Sequence, residues 1–265
     1  MDILTHMVSG VAVGTVLASF SRRGFMAKAR ILSASAIGGI LPDFDVFSLW
    51  SGFDKTFGST LNLQDGNKIY YAQYWYSHHG FFHSFFAAFL ITLILGSLLF
   101  LFKNGRGKHS KENFIIHLKR SSLILLAFCA GYIIHLLEDM PTPGYTWEGI
   151  NLFWPSSHYS GGTGEIWWWN NYDLFLIIAG VAAVNLTILL LPKIKARKLT
   201  PLIFVSGLIF CIVQIKSRPQ NFDYTSFKKE YNNFELQSKE IQKQILGKRL
   251  YSWMDYFDKK VPFNF

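Results

Sequence analysis

The sequence is poor in charge for its length of 265 residues. Asp, Glu, Lys and Arg make up 16% of it, whereas a soluble globular domain carries about 25%. Half of the residues are hydrophobic and 17% are aromatic, so the composition excludes an ordinary soluble domain and indicates a membrane protein. The net charge of +9 does not indicate nucleic-acid binding, because the basic residues lie between apolar runs and not on one soluble face.

Cysteine is also scarce. Cys129 and Cys211 each lie inside an apolar run, which excludes a disulfide framework and a thiolate zinc site. The chain has neither a Gly-rich phosphate loop nor a G-x-S-x-G elbow, which removes the commonest nucleotide-binding and serine-hydrolase motifs. The first ten residues do not resemble a cleaved signal peptide.

Long apolar runs are what the sequence has instead. Residues 81–102, 122–137, 174–191 and 199–215 predict transmembrane helices, because about 20 apolar residues in a helix cross a bilayer core of about 30 Å. Two earlier runs, 7–20 and 29–41, are rich in Gly, Ala and Ser and predict a tightly packed hairpin inside the bundle. The predicted fold class is therefore all-α: a polytopic membrane helix bundle of four to six transmembrane helices with a helical C-terminal tail.

The basic residues predict the orientation of the bundle. If the chain crosses the membrane six times, the connectors 22–30, 103–120 and 193–198 lie on the same side. They hold four, six and four Lys or Arg residues, which predicts that this side is cytoplasmic. We expect residues 1–215 to form a membrane-embedded domain that carries the metal site. Residues 216–265 would be an amphipathic, extracytoplasmic tail that rests on lipid headgroups or covers the site. The run Trp167 to Trp169 predicts an aromatic belt at the interface.

Histidines and carboxylates gather at the other ends of the predicted helices. Polar groups placed for structural reasons would not all sort to one side of the membrane, although a lone His or a single Asp pair is most often structural. The predicted metal ligands are His6, Asp43, Asp45, His78, His83, His135 and Asp139, and His79 is a further candidate.

The spacing of these residues suits metal binding. His79 and His83 stand four apart, as do His135 and Asp139, so on a helix each pair would share a face. Asp43 and Asp45 follow Pro42, and we expect an extended turn there. A ligand set of imidazoles and carboxylates without a thiolate suits zinc. Manganese or magnesium becomes more favoured as the share of oxygen ligands rises. The number of groups is compatible with one or two divalent ions.

The motifs together resemble a known family. "TH" at Thr5 and His6, "LPDFD" at 41–45, "HHGFFHS" at 78–84 and "HLLEDMPTPG" at 135–144 are similar to the YdjM-like family of LexA-regulated inner-membrane proteins, which are predicted metal-dependent hydrolases. The resemblance covers residues 1 to about 160 and implies a multi-pass protein of the bacterial inner membrane. The family's distant similarity to zinc-dependent phospholipase C and P1 nuclease implies phosphoester hydrolysis. His79 stands where the family has Arg, so it either adds a ligand or changes substrate binding.

The sequence thus predicts a membrane-bound metal-dependent hydrolase with its site on the extracytoplasmic side. A membrane lipid or lipid-linked phosphoester is the expected substrate, and the oligomeric state is open. Asp43 or Asp45 would act as general base, and His79 is the third candidate catalytic residue. Glu138 is expected to pack behind the ligands as an orienting partner. The alternative is a metal-ion or proton transporter that uses the same cluster.

Overall fold

The structure is a computed structural model that describes residues 2–105, 113–164, 168, 171–218 and 231–260. No β-strand occurs in this described part of the chain. The elements in order are α1 (Ile3–Phe20), α2 (Phe25–Ile40), a 3-10 helix (Pro42–Leu49), a π-helical turn (Asp54–Gly58), α3 (Ser59–Leu61), α4 (Gly66–Tyr71), a second 3-10 helix (Phe81–His83), α5 (Phe85–Gly105), α6 (Phe114–Asp139), a third 3-10 helix (Tyr145–Trp147), α7 (Tyr172–Ile188), α8 (Lys193–Ser217) and α9 (Tyr231–Lys260).

Several of these helices are able to cross a membrane. Helices α1, α5, α6 and α8 are long and apolar enough, and α2 with the 3-10 helix that follows it forms a fifth candidate bent by 51°. Helix α7 is apolar but shorter, with 17 residues. The predicted all-α membrane bundle is therefore confirmed.

Glycines allow α1, α2 and α6 to pack with their backbones almost in contact. A Cβ on Gly10 would stand 2.5 Å from the Ser35 carbonyl oxygen, and one on Gly131 would stand 2.0 Å from the same oxygen. A Cβ on Gly39 would stand 2.4 Å from the carbonyl oxygen of His6. The small residues of the first two runs therefore form the expected tight hairpin, and α6 closes against it.

The bundle has two chemically different ends. At one end α1, α5 and α7 begin and α2, α6 and α8 finish; it carries the predicted ligands, and we call it the cluster end. The opposite end, here the basic end, carries Arg22, Arg23 and the start of α8. Which end faces the cytoplasm stays a prediction.

A buried ion pair joins the tail to the cluster end. The Arg218 guanidinium hydrogen-bonds both Asp173 oxygens at the start of α7, and Gln242 of α9 donates to Asp173 Oδ1 at 2.9 Å. Arg218 also lies 4.5 Å above the Trp168 ring, which is fully buried. The interfacial-belt prediction is therefore wrong for Trp168, while Trp167 and Trp169 lie outside the described residues. The domain division at residue 215 and the side on which the tail lies stay predictions.

Candidate metal centre

Four separate segments bring the predicted ligands together at the cluster end. His6 comes from the first turns of α1, and His135 and Asp139 come from the last turns of α6. The two aspartates lie on the 3-10 helix after α2, and the three clustered histidines lie just before α5. All eight side chains are buried: His6, Asp43, Asp45, His78, His79, His83, His135 and Asp139.

The centre of the cluster is a set of four ligand atoms. His83 Nε2 and His135 Nε2 are 3.2 Å apart, and each is 3.6 Å from Asp43 Oδ1. Asp139 Oδ2 lies 2.9 Å from His135 Nε2 and 3.3 Å from His83 Nε2. Ligands bonded at about 2.0 Å to a tetrahedral ion stand roughly 3.3 Å from one another. Five of the six separations among these four atoms therefore match a tetrahedral metal site.

Glu138 orients His6 toward this set. His6 Nδ1 lies 2.7 Å from Glu138 Oε2, and the Ser9 hydroxyl donates to the other oxygen of the same carboxylate. His6 Nε2 faces Asp139 Oδ1 at 3.1 Å. If Nδ1 carries the proton given to Glu138, Nε2 presents a lone pair, and a cation beside it would relieve its repulsion with Asp139. This His–carboxylate pairing is the usual support of a metal-ligating imidazole.

Backbone carbonyls fix two further rings in the same way. The Nδ1–H of His135 donates to the Gly39 carbonyl at 2.7 Å, and that of His79 donates to the Gly149 carbonyl at 2.9 Å. A carbonyl oxygen only accepts, so each ring keeps its lone pair on Nε2. These contacts set the tautomer that a metal ligand needs.

A second group of possible ligands overlaps the first. His78, His79 and His83 offer nitrogens within 4.8 Å of one another, and His78 Nδ1 is bonded to Asp45 Oδ1 at 2.7 Å. His83 belongs to both groups, but a neutral imidazole has one lone pair for a metal. The group with Asp43 and Asp139 also supplies two negative charges to balance a divalent ion. It is therefore the better candidate, and the all-histidine group borders it.

Two local predictions near these ligands are wrong. His79 and His83 do not share a helix face, because His79 has a left-handed backbone (φ 64°) and the Phe81 N–H donates to the Trp75 carbonyl to close a turn. The hydroxyl of Ser84 then accepts from the Ala87 N–H, so α5 begins at Phe85 and not at the histidines.

The second error concerns the aspartates after Pro42. Asp43 and Asp45 lie in a 3-10 helix with Pro42 in its first turn, and not in an extended turn. Proline suits a first helical position, since its missing N–H has no partner there. Both carboxylates still reach the cluster, but from different sides. Asp43 faces His83 and His135, whereas Asp45 faces His78 and His83.

Two histidines of the cluster that lie outside the membrane spans, His79 and His83, have opposite electrostatics. Burial lowers the pKa of His79 well below its usual value, and the neighbouring His78 and His83 add to that effect. Burial would also lower the pKa of His83, but the carboxylates of Asp139, Asp43 and Asp45, 3.3 to 3.6 Å from its ring nitrogens, raise it well above its usual value. The carboxylates thus favour a positive charge at His83, which a metal ion would supply in place of a proton.

Three buried atoms of the cluster meet only ion-pair contacts, without hydrogen-bond geometry, among the described residues: His6 Nε2 faces Asp139 Oδ1 at 3.1 Å, and Asp45 Oδ2 and His83 Nδ1 face each other at 3.4 Å. Unpaired buried polar atoms are costly and rare in native structures. In a cluster of imidazoles and carboxylates, a divalent cation would give these three atoms a partner.

Two aromatic side chains that the sequence analysis missed cover the cluster. Tyr70 of α4 stacks on His78 with ring centres 4.7 Å apart, and Trp147 packs 4.7 Å from the ring of His79. Trp147 Nε1 donates to the Tyr70 carbonyl at 2.7 Å, so the two form one cover. Burial and the nearby Asp43 and Asp45 raise the pKa of Tyr70, which keeps its hydroxyl protonated. The one sequence signal for Tyr70 and Trp147 is that each lies close to a ligand motif along the chain.

Fold and site together define a polytopic membrane protein with a His/Asp cluster that could hold a metal ion. The family model described as YdjM inner membrane protein matches residues 1–218 of the chain. The protein therefore belongs to the YdjM inner membrane protein family, which confirms the predicted family. Searches of curated proteins and of solved structures gave no match.

Proposed function

We propose that the protein is a membrane-bound, metal-dependent hydrolase that acts on a phosphoester in a lipid or lipid-linked substrate. The observation that carries the proposal is the set of four buried ligand atoms from Asp43, His83, His135 and Asp139, with five of their six separations between 2.9 and 3.6 Å. Two imidazoles and two carboxylates in a tetrahedral arrangement suit zinc better than magnesium, which needs octahedral oxygen ligands. A divalent ion held there would supply a water of lowered pKa and polarise a phosphoryl oxygen once one carboxylate leaves the ion or the ion takes a fifth ligand, because four protein ligands fill a tetrahedral shell.

Asp45 is the best-placed general base. Its Oδ1 is bonded to His78, while its Oδ2 has no hydrogen-bond partner among the described residues and lies 3.4 Å from His83 Nδ1. Asp43, the other candidate from the sequence, belongs to the four-atom ligand set. Asp45 therefore stands beside the proposed ion, and its Oδ2, which meets only His83 Nδ1, is the carboxylate oxygen placed to accept a proton.

His79 has a different role from the arginine of the family pattern. Its Nδ1–H is used by the Gly149 carbonyl, so Nε2 offers a lone pair and no donor. A lone pair can bind a cation or accept a proton, but it cannot grip a phosphoryl oxygen as a guanidinium does. We therefore propose that His79 borders the ion and that phosphate recognition falls to the ion itself.

Substrate must pass the aromatic cover to reach this site. Trp147 is 3% exposed and the ligands are at most 9% exposed, so the closed cluster has no direct path for a headgroup. We propose that Tyr70 and Trp147 move together to admit substrate, since the hydrogen bond from the Trp147 indole to Tyr70 couples them. Such a cover would also exclude bulk water during the reaction.

The position of the cluster favours hydrolysis over transport. A transporter would place its ion groups near the middle of the bundle with access from both ends. Here the potential ligand groups among the described residues all lie at the cluster end. His117 near the basic end packs against the Phe100 ring and Ser121 and belongs to neither group.

The test is hydrolysis by the purified protein in detergent, with generic phosphodiesters and phospholipids, before and after metal chelation. We expect turnover that is lost on chelation and restored by zinc. Asp45→Asn should keep the metal and lose turnover, whereas Asp255→Asn on the surface of α9 should change neither. Metal-loaded protein without chelator-sensitive hydrolysis of any of these substrates would overturn the proposal, and metal uptake into sealed vesicles would favour the transporter.

A further inference from the structure

A second feature of the cluster end is an apolar cavity of about 270 Å³. It lies between α1, α6, α7 and α8, where α6 packs on α1, α2 and α5 while α7 and α8 pack on α1 and on each other. Ser9 and Glu138 supply its polar groups, and the rest of the wall is almost entirely apolar, with Ala12, Ile134, Ile178, Val181, Phe204 and Leu208 among the lining residues.

The polarity of the cavity changes with depth. Ser9 of α1 and Glu138 of α6 lie at the cluster end of their helices, and Ile215 lines the cavity at the cluster end of α8. Val181 and Phe204 lie deeper, toward the middle of the bundle. A ligand that matches this gradient has a polar end at the surface of the membrane and an apolar end in its interior.

The cavity also opens sideways, to the surface that faces lipid. Leu137 of α6 and Leu208 and Ile212 of α8 line it, yet their side chains are 46%, 44% and 54% exposed. The opening therefore lies between α6 and α8. At this depth the molecules outside the bundle are membrane lipids, and apolar walls disfavour a filling of water.

We propose that this cavity binds one hydrocarbon chain of a membrane lipid from the leaflet at the cluster end. Its volume is below the roughly 300–1,000 Å³ of pockets that hold a whole small molecule, so it would take part of one chain while the headgroup stays at the surface. The chain would pack against Glu138 and keep water from the hydrogen bond between Glu138 and His6. The site stands on the cavity alone and does not require that the cluster be catalytic.

The experiment uses nanodiscs of phosphatidylethanolamine and phosphatidylglycerol that contain a trace of phosphatidylglycerol with a diazirine at the end of one acyl chain. After illumination, we expect crosslinks on cavity-lining residues of α7 and α8, such as Ile178 and Leu208. Ala12→Leu, which fills the cavity, and Leu208→Trp, which blocks its opening, should each lower this labelling several-fold. Val205→Trp is the matched control, because Val205 is 51% exposed on α8 and does not line the cavity.

Two results would overturn the inference. One is labelling spread evenly over lipid-facing residues, and the other is cavity labelling that both filling variants leave unchanged. Metal content measured on the same samples separates this inference from the proposed function. Protein that crosslinks in the cavity but holds no metal contradicts only the hydrolase, and protein that holds metal but does not crosslink there contradicts only the lipid site.

Discussion

Glu138→Gln tests how far the metal centre depends on a residue that does not bind the ion. The carboxylate of Glu138 accepts from His6 Nδ1 at 2.7 Å and from the Ser9 hydroxyl. Glutamine keeps the volume and one acceptor oxygen but loses the negative charge, and its amide NH2 cannot accept. One of the two hydrogen bonds is therefore lost, or His6 turns away from Asp139 Oδ1, which it faces at 3.1 Å.

The expected loss of metal affinity is about 10- to 100-fold, the usual effect of removing a supporting contact around a metal ion; here the effect passes through His6, which faces the ligand Asp139 and does not supply one of the four ligand atoms. This corresponds to about 1.4 to 2.7 kcal/mol at 1.36 kcal/mol per factor of ten. The bundle itself should stay folded, because the ligands from Asp43, His83, His135 and Asp139 are unchanged and glutamine is a good helix former.

The assay is a zinc competition titration against a fluorescent chelator in detergent, with wild-type protein measured in parallel. Glu148→Gln makes the same chemical change at an exposed position near the cluster and should leave affinity within twofold. An unchanged affinity in Glu138→Gln would refute the role of Glu138 in holding His6. A folded variant with no measurable binding would also contradict the reasoning, since it would make Glu138 as important as a ligand.

Three further predictions concern packing, the tail and pH. Gly131→Ala should destabilise the protein by about 1–3 kcal/mol, seen as a lower melting temperature in detergent, because the Cβ of the alanine would stand 2.0 Å from the Ser35 carbonyl oxygen. Gly180→Ala is the control and should not destabilise, because Gly180 has open space around it. Arg218→Ala should cost about 3–5 kcal/mol of unfolding free energy by leaving buried Asp173 without its cation, whereas Lys259→Ala at an exposed pair should change the same melting curve little. Zinc affinity should rise steadily from about pH 6 to pH 8, because the raised pKa of His83 lets a proton compete for its nitrogen until the pH exceeds that pKa; a flat profile in calorimetric titrations would contradict this.

The helices were predictable because each apolar run is long enough to need a membrane or a bundle around it. The small residues of the first two runs also predicted the close backbone contact that Gly10 makes with Ser35. Boundaries were less accurate where a local hydrogen bond outweighed hydropathy. Phe81 continues the apolar run, yet the hydroxyl of Ser84 accepts from the Ala87 N–H and delays α5 to Phe85.

The clustering of the candidate ligands was predictable because His and Asp side chains sorted to one end of the predicted helices. Its geometry was not predictable, since the pairing of His6 with Glu138 joins residues 132 positions apart. The cover of Tyr70 and Trp147 likewise depends on contact between distant segments. Trp168 was misassigned because nothing local shows that Arg218 folds back onto its ring.

Elemental analysis of the protein purified in detergent tests the central claim most directly. The account predicts about one divalent ion per chain in a four-ligand site, lost in His135→Ala and retained in His117→Ala, where the histidine near the basic end is replaced. Purified, folded protein that has no bound metal and takes up none when zinc is added would contradict the account, as would His135→Ala protein that keeps its full metal content.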